Sequence, residues 1–260
     1  MKATSKSNPR GSGAGANSTA DRAIEILLLF SQDRPIWTSN EISEYFEMPR
    51  STTYRYLTSL RANSLIVQDA RGAFNLGPRL LHMAHVARIC NPIVAVATEV
   101  MQPLSEQFSE VVVLNERLGS EIIALHRIES QARIVLKSTR THLTPWPATG
   151  SAKVLLAFAS KEESAELFES LTPTRYTTHT IATVAGLRKE LQSIRETGFA
   201  TSDEERDDDV WGASVPLFHG GECAHALSLV GPKFRIPPKT RTAIIDALLD
   251  ASRHVSAQLS

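Results

Sequence analysis

The apolar positions fall into blocks of different period. In "STADRAIEILLLFSQ" (18–32), Ala23, Ile24, Leu27, Leu28 and Phe30 recur at helical spacing, and Ser18 or Thr19 offers the N-cap. "TSNEISEYFEM" (38–48) opens with Thr38 and, three residues on, Glu41, a capping-box pattern, and Ile42, Tyr45 and Phe46 mark its buried stripe. Pro49 suits the first turn of a third helix running to about Ala62. There Thr53, Tyr56, Leu57 and Leu60 follow i, i+3, i+4, i+7 and face a core. The period then changes to two. "LIVQDARGAFNLG" (65–77) alternates around the turn signal "DARG", which predicts a hairpin with Arg71 at its tip and Gly72 at the end of the turn. Three helices followed by a hairpin is the element order of a winged helix-turn-helix.

"GPRLLHMAHVARI" (77–89) predicts a further helix with Pro78 near its first turn. Leu80, Leu81, Ala84 and Ala87 give it a packing stripe, so both a spacer and a dimerisation helix fit. A helix from Pro92 to about Phe108 follows. From Glu110 the texture is β-rich: "VVVLNERLG", "EIIALHRIES" and "ARIVLKSTR" suggest an antiparallel meander. "TGSAKVLLAFAS" (149–160), "ESAELFESL" (163–171) and "VAGLRKELQSIRETG" (184–198) read as helices, the last closed by Gly198. "FATSDEE", "WGASVPLF" and "CAHALSLVG" read as strands, and "PPKTRTAIIDALLDASRHVSAQL" (237–259) as a closing helix. The fold class is α+β: an N-terminal winged helix-turn-helix and a C-terminal antiparallel-sheet domain of GAF/PAS-like character.

Composition narrows the classes. The chain has 28 Lys and Arg against 28 Asp and Glu, but residues 1–90 hold 11 against 7 and the remainder 17 against 21. A basic first third suggests that only this part meets a polyanion. No apolar run approaches the ~18 residues of a membrane span. The opening "MKATSKSNPRGSGAGANS" lacks the apolar stretch of a secretory signal and reads as a disordered arm. Two distant cysteines, Cys90 and Cys223, point to a reducing compartment, the cytoplasm, with neither a disulfide framework nor a metal spacing.

The segment "PRSTTYRYLTSL" (49–60) concentrates the candidate chemistry of the first third. Arg50, Ser51, Thr52, Tyr54 and Arg55 fall on the side of the third helix away from its apolar stripe. A major groove admits a helix, arginine grips guanine or phosphate, and hydroxyls bind phosphate oxygens. Taken alone, the segment also fits a solvated basic face. The preceding helices and the hairpin with Arg71 favour DNA binding. Other signals are weaker. "TGSAK" lacks the spacing of a phosphate loop. "SDEERDDD" is one acidic run without spaced His or Cys. His82, His85 and Cys90 suit an exposed helix face better than a metal. Ser151 and Lys153, two apart on a helix, point away from each other and make a poor nucleophile–base pair.

The chain resembles the IclR family of bacterial transcriptional regulators. The resemblance is carried by "ADRAIEILLLF", "SNEISEYFEMPRSTTYRYLTSL" and "FNLGPRLL" in the first part, and by "ATGSAKVLLA", "RETGFATSDEE" and "VPLFHGGECAHALSLVGP" in the second. It implies a ligand-responsive regulator, a homodimer or tetramer on double-stranded operator DNA, with no cofactor and no membrane. The implied domains are an arm at 1–17, a DNA-binding domain at 18–76, a linker helix at 77–90 and an effector-binding domain at 91–260. It also implies a small-molecule pocket. Gly150 and Ser151 match the start of a pocket helix, where free N–H groups cradle a carboxylate. Ser202 and Asp203 match the start of an acidic "DDEE" stretch, with the first acid replaced by Ser. Val210 and Gly212 match wall positions, and Ser228 and Val230 a Ser-x-Ser pair whose second Ser is lost. These losses, with Trp146 and Trp211 nearby in sequence, fit an aromatic acid, although either tryptophan also suits a core. The alternative is an enzyme acting on a small organic acid with an N-terminal interaction module; the absence of a nucleophile–base–orienter set in the second half argues against it.

Overall fold

A computed structural model describes residues 19–31, 34–130 and 146–259. The arm expected at 1–17 and the strand expected at "ARIVLKSTR" lie outside the described residues. The chain divides into two compact units, residues 1–87 and 88–260.

In the first unit, α1 (Thr19–Leu28), α2 (Ser39–Tyr45) and α3 (Arg50–Ala62) pack around Ile26, Phe30, Ile42, Leu57 and Leu60. The capping box is present: Thr38 Oγ1 accepts from the Glu41 amide at 3.3 Å, and the Thr38 amide donates to Glu41 Oε2 at 2.8 Å. Two orphan donors at the start of α2 are thereby satisfied. The turn from α2 to α3 is closed by Ser43, whose hydroxyl donates to the Met48 carbonyl at 2.6 Å and whose carbonyl accepts the Met48 amide at 2.9 Å. The hairpin is β2 (Ile66–Gln68) and β3 (Ala73–Leu76), and Gly72 ends its turn at a φ of +85° that suits a residue without Cβ. A two-residue strand, β1 (Trp37–Thr38), adds to β3 and completes a three-stranded wing in the order β1-β3-β2. Two residues are too few for any periodicity to reveal. The helix α4 (Pro78–Ile89) then reaches the boundary between the units.

Among the described residues, the second unit is built on an antiparallel sheet of five strands in the order β5-β4-β8-β7-β6. Its strands are β4 (Val111–Leu118), β5 (Glu121–Ile128), β6 (Ala200–Asp203), β7 (Val210–His219) and β8 (Glu222–Pro232). The expected antiparallel pairing of "VVVLNERLG" with "EIIALHRIES" is present as β4 and β5, and β4 takes β8 on its other side. The helices are α5 (Pro92–Phe108), α6 (Gly150–Ala157), α7 (Lys161–Ser170), α8 (Val184–Thr197) and α9 (Pro238–Gln258). Strand side chains alternate between faces. Val112, Leu114, Trp211, Ala213, Val215, Leu227 and Leu229 therefore share one face, packed with α5 and α9. Ala200 and Ala226 look the other way, into a core with α6 and α8. That second face carries the candidate ligand site.

Candidate functional site

The DNA-facing candidates stand as follows. In α3, Thr53, Leu57 and Leu60 are buried, while Arg50, Ser51, Tyr54 and Arg55 are exposed and Thr52 is half-buried. Neither Arg50 nor Arg55 has an acidic partner among the described residues, so both guanidinium groups remain available to an anion. Pro49 is the N-cap and supplies no side-chain cap. The first N–H groups of α3 therefore stay without a side-chain acceptor, as an anion-binding helix start requires. The Tyr54 hydroxyl accepts from Ser39 Oγ at 3.3 Å, which ties the reading face to the start of α2. Arg71 is exposed at the hairpin tip, where its amide donates to Asp69 Oδ1 at 2.9 Å.

In the second unit the candidates come from four separated segments. Ser202 on β6 lies opposite Gly212 on β7, which lies opposite Val230 on β8. Two residues along, Ala200 lies opposite Ser214, and Ser214 opposite Ser228. Val210 shares the parity of Gly212 and Ser214. Ser202, Val210, Gly212, Ser228 and Val230 thus share one face, half-buried at the Val210 end and buried at Ser228. The Ser202 hydroxyl donates to the Ala148 carbonyl at 3.0 Å, joining β6 to the approach to α6. Thr149 caps α6, accepting from the Ala152 amide at 3.3 Å. Gly150 and Ser151 begin the helix and are buried.

Three features correct the sequence reading or add to it. Asp203 does not join this group. One residue beyond Ser202, it turns to the opposite face beside Trp211, where Arg241 of α9 holds it at 2.8 Å and Lys233 at 2.9 Å. Burial raises its carboxyl, but the hydrogen bonds from Lys233 and Arg241 outweigh this and leave it below the usual range. Both tryptophans are core. Trp211 packs with α5 and α9, and Trp146, on the α6 side, donates its indole N–H to the Ile181 carbonyl at 2.6 Å. Finally, Gly150 is small because of the sheet beneath it: a Cβ there would lie 2.6 Å from Ser214 Oγ and 3.3 Å from the Ala200 carbonyl oxygen.

The sequence reading misses the polar neighbours of Ser228 and the buried ion network around Lys153. Ser214 Oγ and Ser228 Oγ are 2.8 Å apart and buried, and Asn115 Nδ2 reaches Ser228 Oγ at 3.4 Å. These groups form a polar line under the start of α6. Lys153 is fully buried, with its ammonium 2.8 Å from Glu190 and 2.7 Å from Glu205. Pairing a buried ammonium with two carboxylates leaves it no role as a base toward Ser151. Burial pushes the Glu205 carboxyl up, against the pull of Lys153. Among the described residues no group of three or more His, Cys, Asp or Glu is placed to hold a metal.

Two family models cover most of the chain: an IclR helix-turn-helix domain over residues 19–70 and a bacterial transcriptional regulator IclR C-terminal domain over residues 87–257. The chain belongs to the IclR family of transcriptional regulators. It is a DNA-binding regulator with a helix-turn-helix domain and an effector-binding domain. Among IclR relatives, it is 28% identical to the transcriptional regulator BhcR of Paracoccus denitrificans, over 96% of this chain and 93% of that one. It is 25% identical to the transcriptional repressor AllR of Escherichia coli K12, over 92% and 89%. Among solved structures, an IclR regulator from Silicibacter sp. TM1040 matches with a TM-score of 0.80 at 23% identity, over 93% of this chain and 96% of that one. An IclR homologue from Microbacterium hydrocarbonoxydans, crystallised with 4-hydroxybenzoate, matches with a TM-score of 0.76 at 23% identity, over 93% and 99%. Among the described residues no single helix is long and apolar enough to cross a membrane.

Proposed function

We propose that this IclR regulator is a cytoplasmic, ligand-responsive protein that binds its operator through α3 and the wing and is controlled by a small carboxylate, aromatic by preference. The observation that carries the ligand reading is the convergence of Gly150–Ser151, Ser202, Gly212 and Ser228 on one sheet face beneath a helix start. First-turn N–H groups favour an anion, and the hydroxyls of Ser202 and Ser228 supply polar contacts. Gly212 and Val230 make the wall small and apolar, which suits a ring more than a second polar group. The Microbacterium homologue's complex with 4-hydroxybenzoate supports the same ligand class. Arg50, Ser51, Thr52, Tyr54, Arg55 and Arg71 are the DNA contacts. The chain acts as a homodimer or higher oligomer, with α4 as a contact. Leu81, Met83, Val86 and Ile89 are exposed on that helix, an apolar surface a second copy would cover. An effector then shifts the population of arrangements that match half-sites on DNA.

The test is a calorimetric and thermal-shift screen of the purified chain against small carboxylates, with 4-hydroxybenzoate, benzoate, pyruvate and glyoxylate among them. Each acid that binds is then added to the protein held on the DNA upstream of its own gene. The expected result is saturable binding of an aromatic acid that changes operator affinity. No binding by any acid, or binding that leaves operator affinity untouched, contradicts the reading.

A further inference from the structure

The buried ammonium of Lys153 belongs neither to the DNA-facing surface nor to the ligand face. All eight residues of α6 are buried, and Lys153 has zero exposure. A charge in that position is tolerated only when its lost hydration is replaced. The replacement comes from two other segments. Glu190 belongs to α8, and Glu205 lies in the turn between β6 and β7. Glu205 Oε2 is itself buried with no hydrogen-bond partner among the described residues, and Lys153 holds this carboxylate through Oε1.

The positions of these residues give the contact a second meaning. Lys153 is three residues after Gly150, and residues three apart share a helix face. Glu205 is three residues after Ser202. The ion pair therefore joins, one step behind the ligand face, the two segments that carry Gly150 and Ser202 to it. Elsewhere the α6 contact is mostly apolar, through Val154, Leu155 and Leu156, and the Arg195 guanidinium donates to the Ala157 carbonyl at 2.6 Å only at the far end of the helix. Apolar contact is non-directional, whereas a charged hydrogen bond at 2.7 Å fixes both distance and angle.

We propose that Lys153 is a positioning residue of the effector site: held between Glu190 and Glu205, it sets where the start of α6 stands over β6 and β7, and so sets the affinity for the carboxylate. The proposal rests on the ligand reading of that face. Its competitor is a role in stability alone. The two separate in a charge-free variant, Lys153→Met with Glu190→Gln and Glu205→Gln. Removing a whole buried ion network is often neutral or stabilising, yet it abolishes the directional hold. Glu190→Gln alone is the second variant, because Glu190 is partly exposed and the Lys153–Glu205 pair survives.

Full-length wild type and both variants are titrated with 4-hydroxybenzoate in a calorimeter, and thermal midpoints are recorded alongside. The expected result is a loss of affinity of about tenfold or more in the charge-free variant, as for a site whose supporting groups no longer hold it. Glu190→Gln should show a smaller loss, and operator affinity without the acid should be unchanged in both. Wild-type affinity in a charge-free variant that keeps its midpoint overturns the proposal. If that variant does not fold, Glu190→Gln decides, and wild-type affinity there also overturns it. A wild type that binds no acid overturns the ligand reading and the proposal with it; a wild type that binds alongside indifferent variants overturns the proposal alone.

Discussion

Thr38 shows how much one residue can fix. It ends β1, caps α2 and receives Glu41 in return, so the entry into the helix-turn-helix depends on it. Replacing it with Ala should cost about 1 kcal/mol, read as lost amide protection over residues 39–45 in hydrogen exchange. Unchanged protection would show that the cap is idle. The Glu41 carboxyl sits below the usual range, first through the Thr38 amide and then through the Thr38 hydroxyl, with Arg34 adding to both. A carboxylate with a lowered folded value contributes stability above its unfolded value, about 4.3 for Glu, and loses it as pH falls through the folded value. The protection that separates wild type from Thr38→Ala should therefore be full at neutral pH and shrink in acid. A gap that widens in acid would contradict the assignment.

At the scale of elements, α6 and the sheet beneath it behave as one part. A methyl on Gly150 would press into Ser214, so Gly150→Ala should destabilise the second unit by about 1–3 kcal/mol. Adding Ser214→Ala removes the nearest atom, and the double variant should cost less than the two single costs together. Strict additivity in thermal denaturation would mean that the two residues do not press on each other. The same element shows where sequence reading runs out. Helix α2 is legible because Thr38 and Glu41 are local, and α3 because its apolar spacing is. The partners of Lys153 lie 37 and 52 residues away, and nothing in "GSAKVLLA" announces them. Ser214 sits in "WGASVPLF" like any strand residue, and only the register with β8 sets it opposite Ser228. The motif groups Asp203 with Ser202, yet neighbours in a strand face opposite ways, and the Asp203 carboxylate accepts from Arg241 of α9.

For the whole molecule, the proposed assembly depends on α4. Leu81 is 76% exposed, so a charge there disturbs little within one chain. Leu81→Glu should shift sedimentation toward the monomer and weaken operator binding, since each half-site would then be bound alone. Unaltered sedimentation with normal affinity would make α4 a spacer. That α3 reads the DNA is tested by the operator affinity of wild type, Arg50→Ala and Arg55→Ala across a salt series, by fluorescence anisotropy on the DNA upstream of the gene. Both arginines lie outside the core, so both variants should keep the wild-type fold. Each should bind more weakly, with the slope of log affinity against log salt shallower by about one for each phosphate that is no longer neutralised. Wild-type affinity and slope in both variants would exclude α3 as the reader.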